Sequence, residues 1–447
     1  MINPKNVIKY YNKVGKYLWG ARTDMETGRN IEILTRRLKM GYKETGKWWV
    51  SEADYAPEVT KNYHFPPKIE ILDTSLRDGE QQPGIILTRS DKVRIAKKLA
   101  EAGVHRIEAG TPAVSAEDAD AIKEIASLNL GPKLFAFVRN TPEDMKLAKE
   151  CGVDGVIAEI PGSEHLLKFG KKWSVEKAIQ AAIEGTLAAK ELGLHVTFFP
   201  ADSSRASMDF LMDSVQQISE GGHMDSLALV DTFGCYSPEG AAYTVRRLKE
   251  RFNKPIEVHF HDDFGLGVAS TIAGLAAGAE VAHVTINGIG ERAGSASLET
   301  LVLALQMLYG YDTGIKTSML KEMSDLMVEL SGFKIQPTKP IVGDKIFGWE
   351  TGMPSSLWLN CKDTEPLAML PYLWTMTGQK EPSIYLGKKS GKDNIKKWLA
   401  DNNLTVKEEQ EQELLGMVKN LSISLKRDLT QKEFIALVNQ LNEKGGC

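Results

Sequence analysis

Two short stretches of this 447-residue chain carry residue types that could hold a metal ion. The first, His259-Phe260-His261, sets two imidazoles two residues apart. On a β-strand that spacing turns both rings to one face. Two imidazoles and one carboxylate, with the other positions left to solvent or substrate, describe an open catalytic site for a divalent ion. The second stretch, Asp73-Thr74-Ser75-Leu76-Arg77-Asp78-Gly79-Glu80-Gln81, offers the carboxylate, and Asp78 is the one expected to join His259 and His261. A histidine pair alone could equally be buried and hydrogen-bonded. The elements that carry it decide between the two.

Those elements follow a regular alternation that begins at Lys68, after Pro66-Pro67. Short β-rich runs fall at residues 69–73, 106–109, 134–138, 155–160, 196–199, 226–231, 256–261 and 283–287. Amphipathic stretches such as 88–102, 175–192 and 238–252 lie between them. Strands that alternate with helices build a parallel sheet, and eight such units fit a closed (β/α)8 TIM barrel. An open doubly wound sheet is the alternative, but no Gly-x-Gly-x-x-Gly follows the first strand. In a barrel of this kind functional groups sit at the C-terminal ends of the strands. His261 and the Arg77-Asp78 pair are both expected there.

Residues 1–67 read as an extension with an excess of lysine and arginine and several aromatics, among them Trp19, Trp48 and Trp49. Helices are expected over 7–19 and 30–40. Packing on the main domain or on a neighbouring subunit is preferred to RNA binding, because acidic residues are interspersed with the basic ones. The barrel is assigned to 68–319 and a mainly helical C-terminal subdomain region to 320–447. Residues 335–371, rich in Pro, Gly and Trp, suggest irregular structure, and 407–419 and 431–443 suggest two closing helices. Composition is that of a globular protein, 42% hydrophobic and 26% charged, and the net charge of −4 argues against nucleic acid or a membrane surface as partner. No apolar run is long enough to span a membrane, and a secretory signal is not expected from the opening residues. Cys151, Cys235, Cys361 and Cys447 are isolated, which favours a reducing cytoplasm.

The motifs carry a resemblance. Leu76-Arg77-Asp78-Gly79-Glu80-Gln81 with Lys92 further on resembles the first signature of the 2-isopropylmalate, homocitrate and Re-citrate synthases. Residues 256–267, containing His259-Phe260-His261-Asp262-Asp263, look like their second, and Asn287-Gly288-Ile289-Gly290-Glu291-Arg292-Ala293-Gly294 like a third. The likeness is strong over about residues 68–310, weaker through 386–392, and absent from the first 67. It implies a homodimeric enzyme performing a metal-dependent Claisen condensation, with Mn, Mg, Co or Zn as the ion. The enolate of acetyl-CoA attacks a 2-oxo acid chelated to the metal, and the thioester is then hydrolysed. By the resemblance Arg77 steadies the developing alkoxide, and Arg77, Gln81 and Arg139 bind substrate. Arg139 ends the third strand, where homocitrate synthases are similar in placing an arginine that clamps a distal carboxylate. Glu108, ending the second strand, could orient Arg77 or water, or simply pair.

Four positions depart from the synthase pattern. A Glu-Asp pair usual after strand five is Ala201-Asp202, a Thr or Ser after the nearby arginine is Ala206, and an Asn closing the third run is Ser295. Related synthases also carry histidines where this chain has Trp349 and Pro354, one of which helps deprotonate the acyl-CoA. No histidine follows His283, so the base must be another group: Glu350 first, with Asp202 and Tyr385 as alternatives. That divergence ranks oxaloacetate, giving citrate, ahead of 2-oxoglutarate and 2-oxoisovalerate. An acyl-CoA lyase is disfavoured because its usual cysteine-bearing loop corresponds to Gly288–Gly294, which has no cysteine. A non-catalytic regulatory paralogue is disfavoured by the intact metal residues.

Overall fold

A computed structural model describes residues 41–444, so the helices expected over 7–19 and 30–40 lie outside the described residues. Eight parallel strands close into a barrel: β1 (Glu70–Asp73), β2 (Arg106–Glu108), β3 (Lys133–Arg139), β4 (Gly155–Pro161), β5 (His195–Ala201), β6 (Ser226–Asp231), β7 (Ile256–Phe260) and β8 (Val281–Val284), with β8 pairing back to β1. The intervening helices are α1 (Arg89–Ala102), α2 (Ala116–Ser127), α3 (Pro142–Glu150), α4 (Val175–Glu191), α5 (Met208–Gly221), α6 (Pro238–Arg251) and α7 (Gly267–Ala276), and α8 (Leu298–Met307) follows the last strand. This is the TIM barrel that the alternation predicts. Most of the helices begin at a residue whose hydroxyl accepts a backbone N–H of the first turn: Thr88, Ser115, Thr141, Ser174, Ser207 and Ser237. Each cap satisfies a donor that would otherwise be orphaned at a helix start, and so sets where the loop stops and the helix begins.

Alternate residues of each strand face the barrel axis. Leu72, Phe135, Ile157, Phe199, Ala228, Val230 and Val281 fill it, while the opposite rows pack on the helices in a larger core. Below the mouth the axis holds a charged layer. The Glu257 carboxylate accepts from Arg106 Nη1 (3.0 Å), Ser226 Oγ (2.7 Å) and Thr197 Oγ1 (3.2 Å), and meets His283 Nε2 at 2.7 Å. Burial alone would push this carboxyl up. The hydrogen bond and charge of His283, with the charge of Arg106, overcome that and bring it down to about 2. These partners come from β2, β5, β6 and β8, so with its own β7 one buried carboxylate ties five strands together.

The barrel core runs past residue 319. Helix α9 (Leu320–Ser331) contributes Leu320, Met323 and Met327 to it, because its apolar face lies against α1. On the N-terminal side, Trp48 is buried with Leu303 and Met307 of α8, so the described part of the extension packs on the barrel. The stretch 335–371 is not wholly irregular: it holds α10 (Gly352–Cys361). Tryptophans organise this region, with Trp349 stacked on Trp358 at 4.9 Å. The strand expected at 283–287 is shifted to Val281–Val284. Asn287 takes a left-handed conformation (φ 61°) and gives its N–H to Glu299, so the ladder cannot continue. The closing region is helical as expected, with α11 (Lys392–Asp401), α12 (Glu411–Leu425) and α13 (Gln431–Lys444) around Ile395, Leu414, Val418 and Phe434. The expected 407–419 helix starts and ends later, at Glu411 and Leu425, after a 3₁₀ turn over Glu408–Gln410.

Removing Glu257 tests the charged layer. Glu257→Ala removes the acceptor shared by His283, Ser226 and Thr197 while Arg106 keeps Glu70 (2.6 Å), which should cost about 1–3 kcal/mol. The expected outcome is a clear fall in the urea midpoint; a midpoint within error of the parent protein would show that water replaces the carboxylate.

Candidate metal centre

The turn after β1 is wound by its own backbone. Asp73 Oδ1 accepts the Ser75 N–H, and the Arg77 and Asp78 N–H groups both point to the Thr74 carbonyl. Asp78 thereby turns inward, buried at the mouth. Glu80, in the same turn, is held by buried Lys92 (2.6 Å), which also pairs with Asp118 of α2. Opposite, His259 and His261 occupy the inward row of β7 and its end. The ligating atoms of Asp78, His259 and His261 all lie within 4.8 Å of one another. His259 Nε2 is 3.4 Å from His261 Nε2, which is 3.8 Å from Asp78 Oδ1.

These three side chains fit a divalent ion. His261 Nδ1 lies 3.0 Å from the Gly294 carbonyl, so that nitrogen carries the proton and Nε2 keeps its lone pair toward the cluster. Asp78 Oδ2 and His259 Nδ1 are buried without any hydrogen-bond partner. Burial, reinforced by His261 and His283, pushes His259 well below the ordinary imidazole range, so it is neutral and able to ligate. The loop that supplies the Gly294 carbonyl leaves no room for side chains. A Cβ at Gly294 (φ 93°) would lie 1.9 Å from the Gly288 carbonyl oxygen, and one at Gly290 (φ 153°) would lie 3.1 Å from Asp78 Oδ2.

Arg77 stands beside the cluster, held through two of its three nitrogens. Its Nε donates to Glu108 (2.9 Å), and Nη1 donates to Gln81 (3.1 Å) and Asp78 (3.3 Å). Its guanidinium covers the Phe137 ring at 4.4 Å, while Nη2 is buried and unpartnered. Burial raises the Glu108 carboxyl, and the Arg77 charge only partly offsets this. Arg77, Asp78, Gln81, Glu108, His259 and His261 are therefore brought together as a group.

Two expected residues are placed elsewhere within the chain. Arg139 belongs to the inward row of β3, after Phe135 and Phe137, but its fork closes on Asp144 (Nε and Nη2 both 2.8 Å), leaving the side chain 64% exposed. Glu350 does not reach the cluster. It lies in the C-terminal region, where its carboxylate accepts the Lys389 N–H at 2.9 Å and packs beside Gly387. The alternative bases fare no better. Asp202 is fully buried and accepts from Ser163 (2.7 Å) and from Nε and Nη2 of Arg205 (2.6 and 2.9 Å), while Tyr385 lies near Lys345. The floor formed by Phe137 and Phe199 was not singled out from sequence. Its signal is the period-two run that also carries Arg139.

Residues 68–327 match the HMGL-like family over the whole barrel. The chain belongs to the HMGL-like family. It is 40% identical over 333 residues to a probable 2-isopropylmalate synthase of Ignicoccus hospitalis, spanning 74% of this chain and 82% of that one. It is 38% identical to a homocitrate synthase of Methanothermobacter thermautotrophicus, over 76% of this chain and 86% of that one. Against an (R)-citramalate synthase of Methanocaldococcus jannaschii the identity is 37%, over 84% and 75%. Among the described residues of this HMGL-like protein no helix is long and apolar enough to cross a membrane.

The glycine loop of the HMGL-like barrel provides a test of the centre. Gly294→Ala must push the loop away and shift the acceptor that orients His261. Loss of such a support should weaken metal binding by ~10–100-fold. Titration of the chelator-treated protein with Mn²⁺ by calorimetry checks this; an unchanged Kd would show that His261 is oriented by something else.

Proposed function

We propose that this protein is an acyltransferase that condenses acetyl-CoA with a 2-oxo acid and hydrolyses the thioester. The observation that carries the reading is Arg77: two of its nitrogens held by Glu108 and Gln81, the third without a partner, beside three residues fit to ligate a divalent ion. A bound ion at Asp78, His259 and His261 would supply Lewis-acid polarisation of the oxo acid's carbonyl. The chain's own contribution is positional. Arg77 is fixed before substrate arrives, so its free N–H faces the oxygen that becomes an alkoxide without reorganising. Phe137 beneath it and the buried surroundings keep water from competing for that donor.

The relatives named above differ in the oxo acid that they use, so the tail must be argued from this chain. We favour a dicarboxylate, oxaloacetate first and 2-oxoglutarate second. A 380 Å³ cavity at the ends of β3 and β4 is bordered by Arg139 and Lys171 and by the carboxylates of Glu143, Asp144 and Glu159. In this reading Arg139 exchanges Asp144 for the substrate's distal carboxylate, a bidentate partner of the same geometry.

Two measurements test these assignments. Arg77→Lys keeps the charge but loses the planar fork, and should lower kcat by ~10²–10³, as loss of an oxyanion donor does. A change in KM alone would mean that Arg77 binds substrate and transition state equally. In a panel of 2-oxo acids with acetyl-CoA, followed by free-thiol release, oxaloacetate should be preferred. Arg139→Ala should then lower activity on the diacids severalfold, the ~1 kcal/mol of a solvent-exposed ion pair, and leave pyruvate nearly unchanged. Equal losses on all of them, or wild-type preference for 2-oxoisovalerate, would reject the dicarboxylate.

A further inference from the structure

With no histidine after His283 and with Glu350 and Asp202 tied up elsewhere, the reaction proposed above lacks a group to take the proton from the acyl-CoA methyl. The carboxylates around the mouth can be taken in turn. Asp78 belongs to the metal cluster, and Glu108 is bonded by Arg77. Asp202 accepts from Ser163 and Arg205, and Asp231 accepts the Cys235 and Tyr236 N–H groups at 2.8 Å each. Asp263 is held by Arg292 in a two-point pair. Glu159 is different. It lies on β4, and its side chain makes no hydrogen bond or ion pair among the described residues.

Strand register places it. Ile157, two residues earlier, belongs to the barrel interior, so Glu159 occupies the next inward position toward the mouth. It pairs across the sheet with Arg139 of β3 and with Phe199 of β5. Phe199 packs edge-on against His259 (5.2 Å) and against Phe137 (5.7 Å), the ring that Arg77 covers. Glu159 thus stands beside the same aromatic floor on which Arg77 and His259 rest. It is not sealed in: it is half-buried and lines the 380 Å³ cavity with Arg139 and Lys171. On β5, where the resembling synthases usually carry a glutamate, Ala201 has no carboxyl, and it pairs with Pro161 just beyond Glu159.

We propose that Glu159 is the general base that enolises acetyl-CoA in this protein, an assignment that rests on the condensation reading above. A methyl C–H bond of the thioester breaks, its proton passes to the Glu159 carboxylate, and its electron pair forms the enolate C=C. The enolate carbon bonds to C2 of the oxo acid, and the carbonyl π pair becomes an alkoxide, which takes the proton back from Glu159. Water then adds to the thioester carbonyl and CoA leaves as the thiol. Burial raises the Glu159 carboxyl above its usual range, partly offset by Lys171 and Arg77, which makes the group a stronger base than an exposed glutamate.

The experiment compares wild type, Glu159→Gln and Glu159→Asp, loaded with Mn²⁺, using the 2-oxo acid that wild type turns over fastest. Thiol release is followed with acetyl-CoA and with its methyl-deuterated form. Glu159→Gln should lower kcat by ~10²–10⁴, the range for general-base catalysis, with oxo-acid KM and Mn²⁺ affinity close to wild type. Its isotope effect on kcat should rise, because C–H cleavage becomes limiting. Glu159→Asp should keep part of the rate and show a raised isotope effect too; should the Gln variant fail to fold, the Asp variant decides by the same two readouts. A kcat within tenfold of wild type, a loss confined to oxo-acid KM, or an unchanged isotope effect overturns the assignment. Absence of thiol release by wild type with every oxo acid would instead overturn the condensation reading, and the base with it.

Discussion

Everything at the mouth of this barrel depends on holding two imidazoles and a carboxylate within one small buried volume. A cluster of that kind is costly without a cation, because its lone pairs are removed from water and nothing replaces the lost hydrogen bonds. Two of the ligands are gripped from behind. Asp78 is set by the turn that folds back on the Thr74 carbonyl, and His261 by the Gly294 carbonyl. Asp78 Oδ2 and His259 Nδ1 are left buried without partners in that cluster, and Arg77 Nη2 beside it.

Arg77 shows how the same constraint extends outward. A guanidinium buried this deeply needs carboxylates, and Glu108 and Asp78 supply them. Their charges, with the hydrogen bond that Arg77 donates to Glu108, outweigh burial and keep the cation charged. Glu108 takes Nε and Gln81 takes Nη1, so Nη2 is the nitrogen left without a partner. The charged layer around Glu257 underlies this arrangement. It fixes β7 against its neighbours two residues below His259, so the histidine row is anchored by a carboxylate that ties five strands together rather than by apolar contacts alone. Membership of the HMGL-like family is consistent with these parts. The departures from the synthase pattern at Ala201, Trp349 and Pro354 leave Arg77, Asp78, His259 and His261 in place.

What sequence alone determined about this protein is what depends on short-range periodicity. Eight β-rich runs separated by amphipathic ones read directly as a (β/α)8 barrel, since a strand's inward and outward rows and a helix's apolar stripe are local patterns. For the same reason His259 and His261 had to share a face, and the strand-end rule put Asp78 opposite them. Errors of extent occurred where a non-local partner ends an element. Asn287 stops β8 because Glu299 takes its N–H, and α10 forms within 335–371, where α10 (Trp358) and the Trp349 strand stack their indoles.

Tertiary structure decided the pairing of the long side chains. Arg139 is on the row that sequence assigned, yet its guanidinium reaches around to Asp144, five residues on in α3. Glu350 looked free in the sequence and is engaged by the Lys389 N–H from a distant segment. Glu159 looked unremarkable in the sequence, and only closure of the ring shows that it faces the mouth with no donor of its own. A flexible charged side chain takes the partner that three-dimensional proximity offers, and proximity across a barrel is set by register between strands that lie tens of residues apart. Periodicity tells which way a residue points; ring closure determines what it meets.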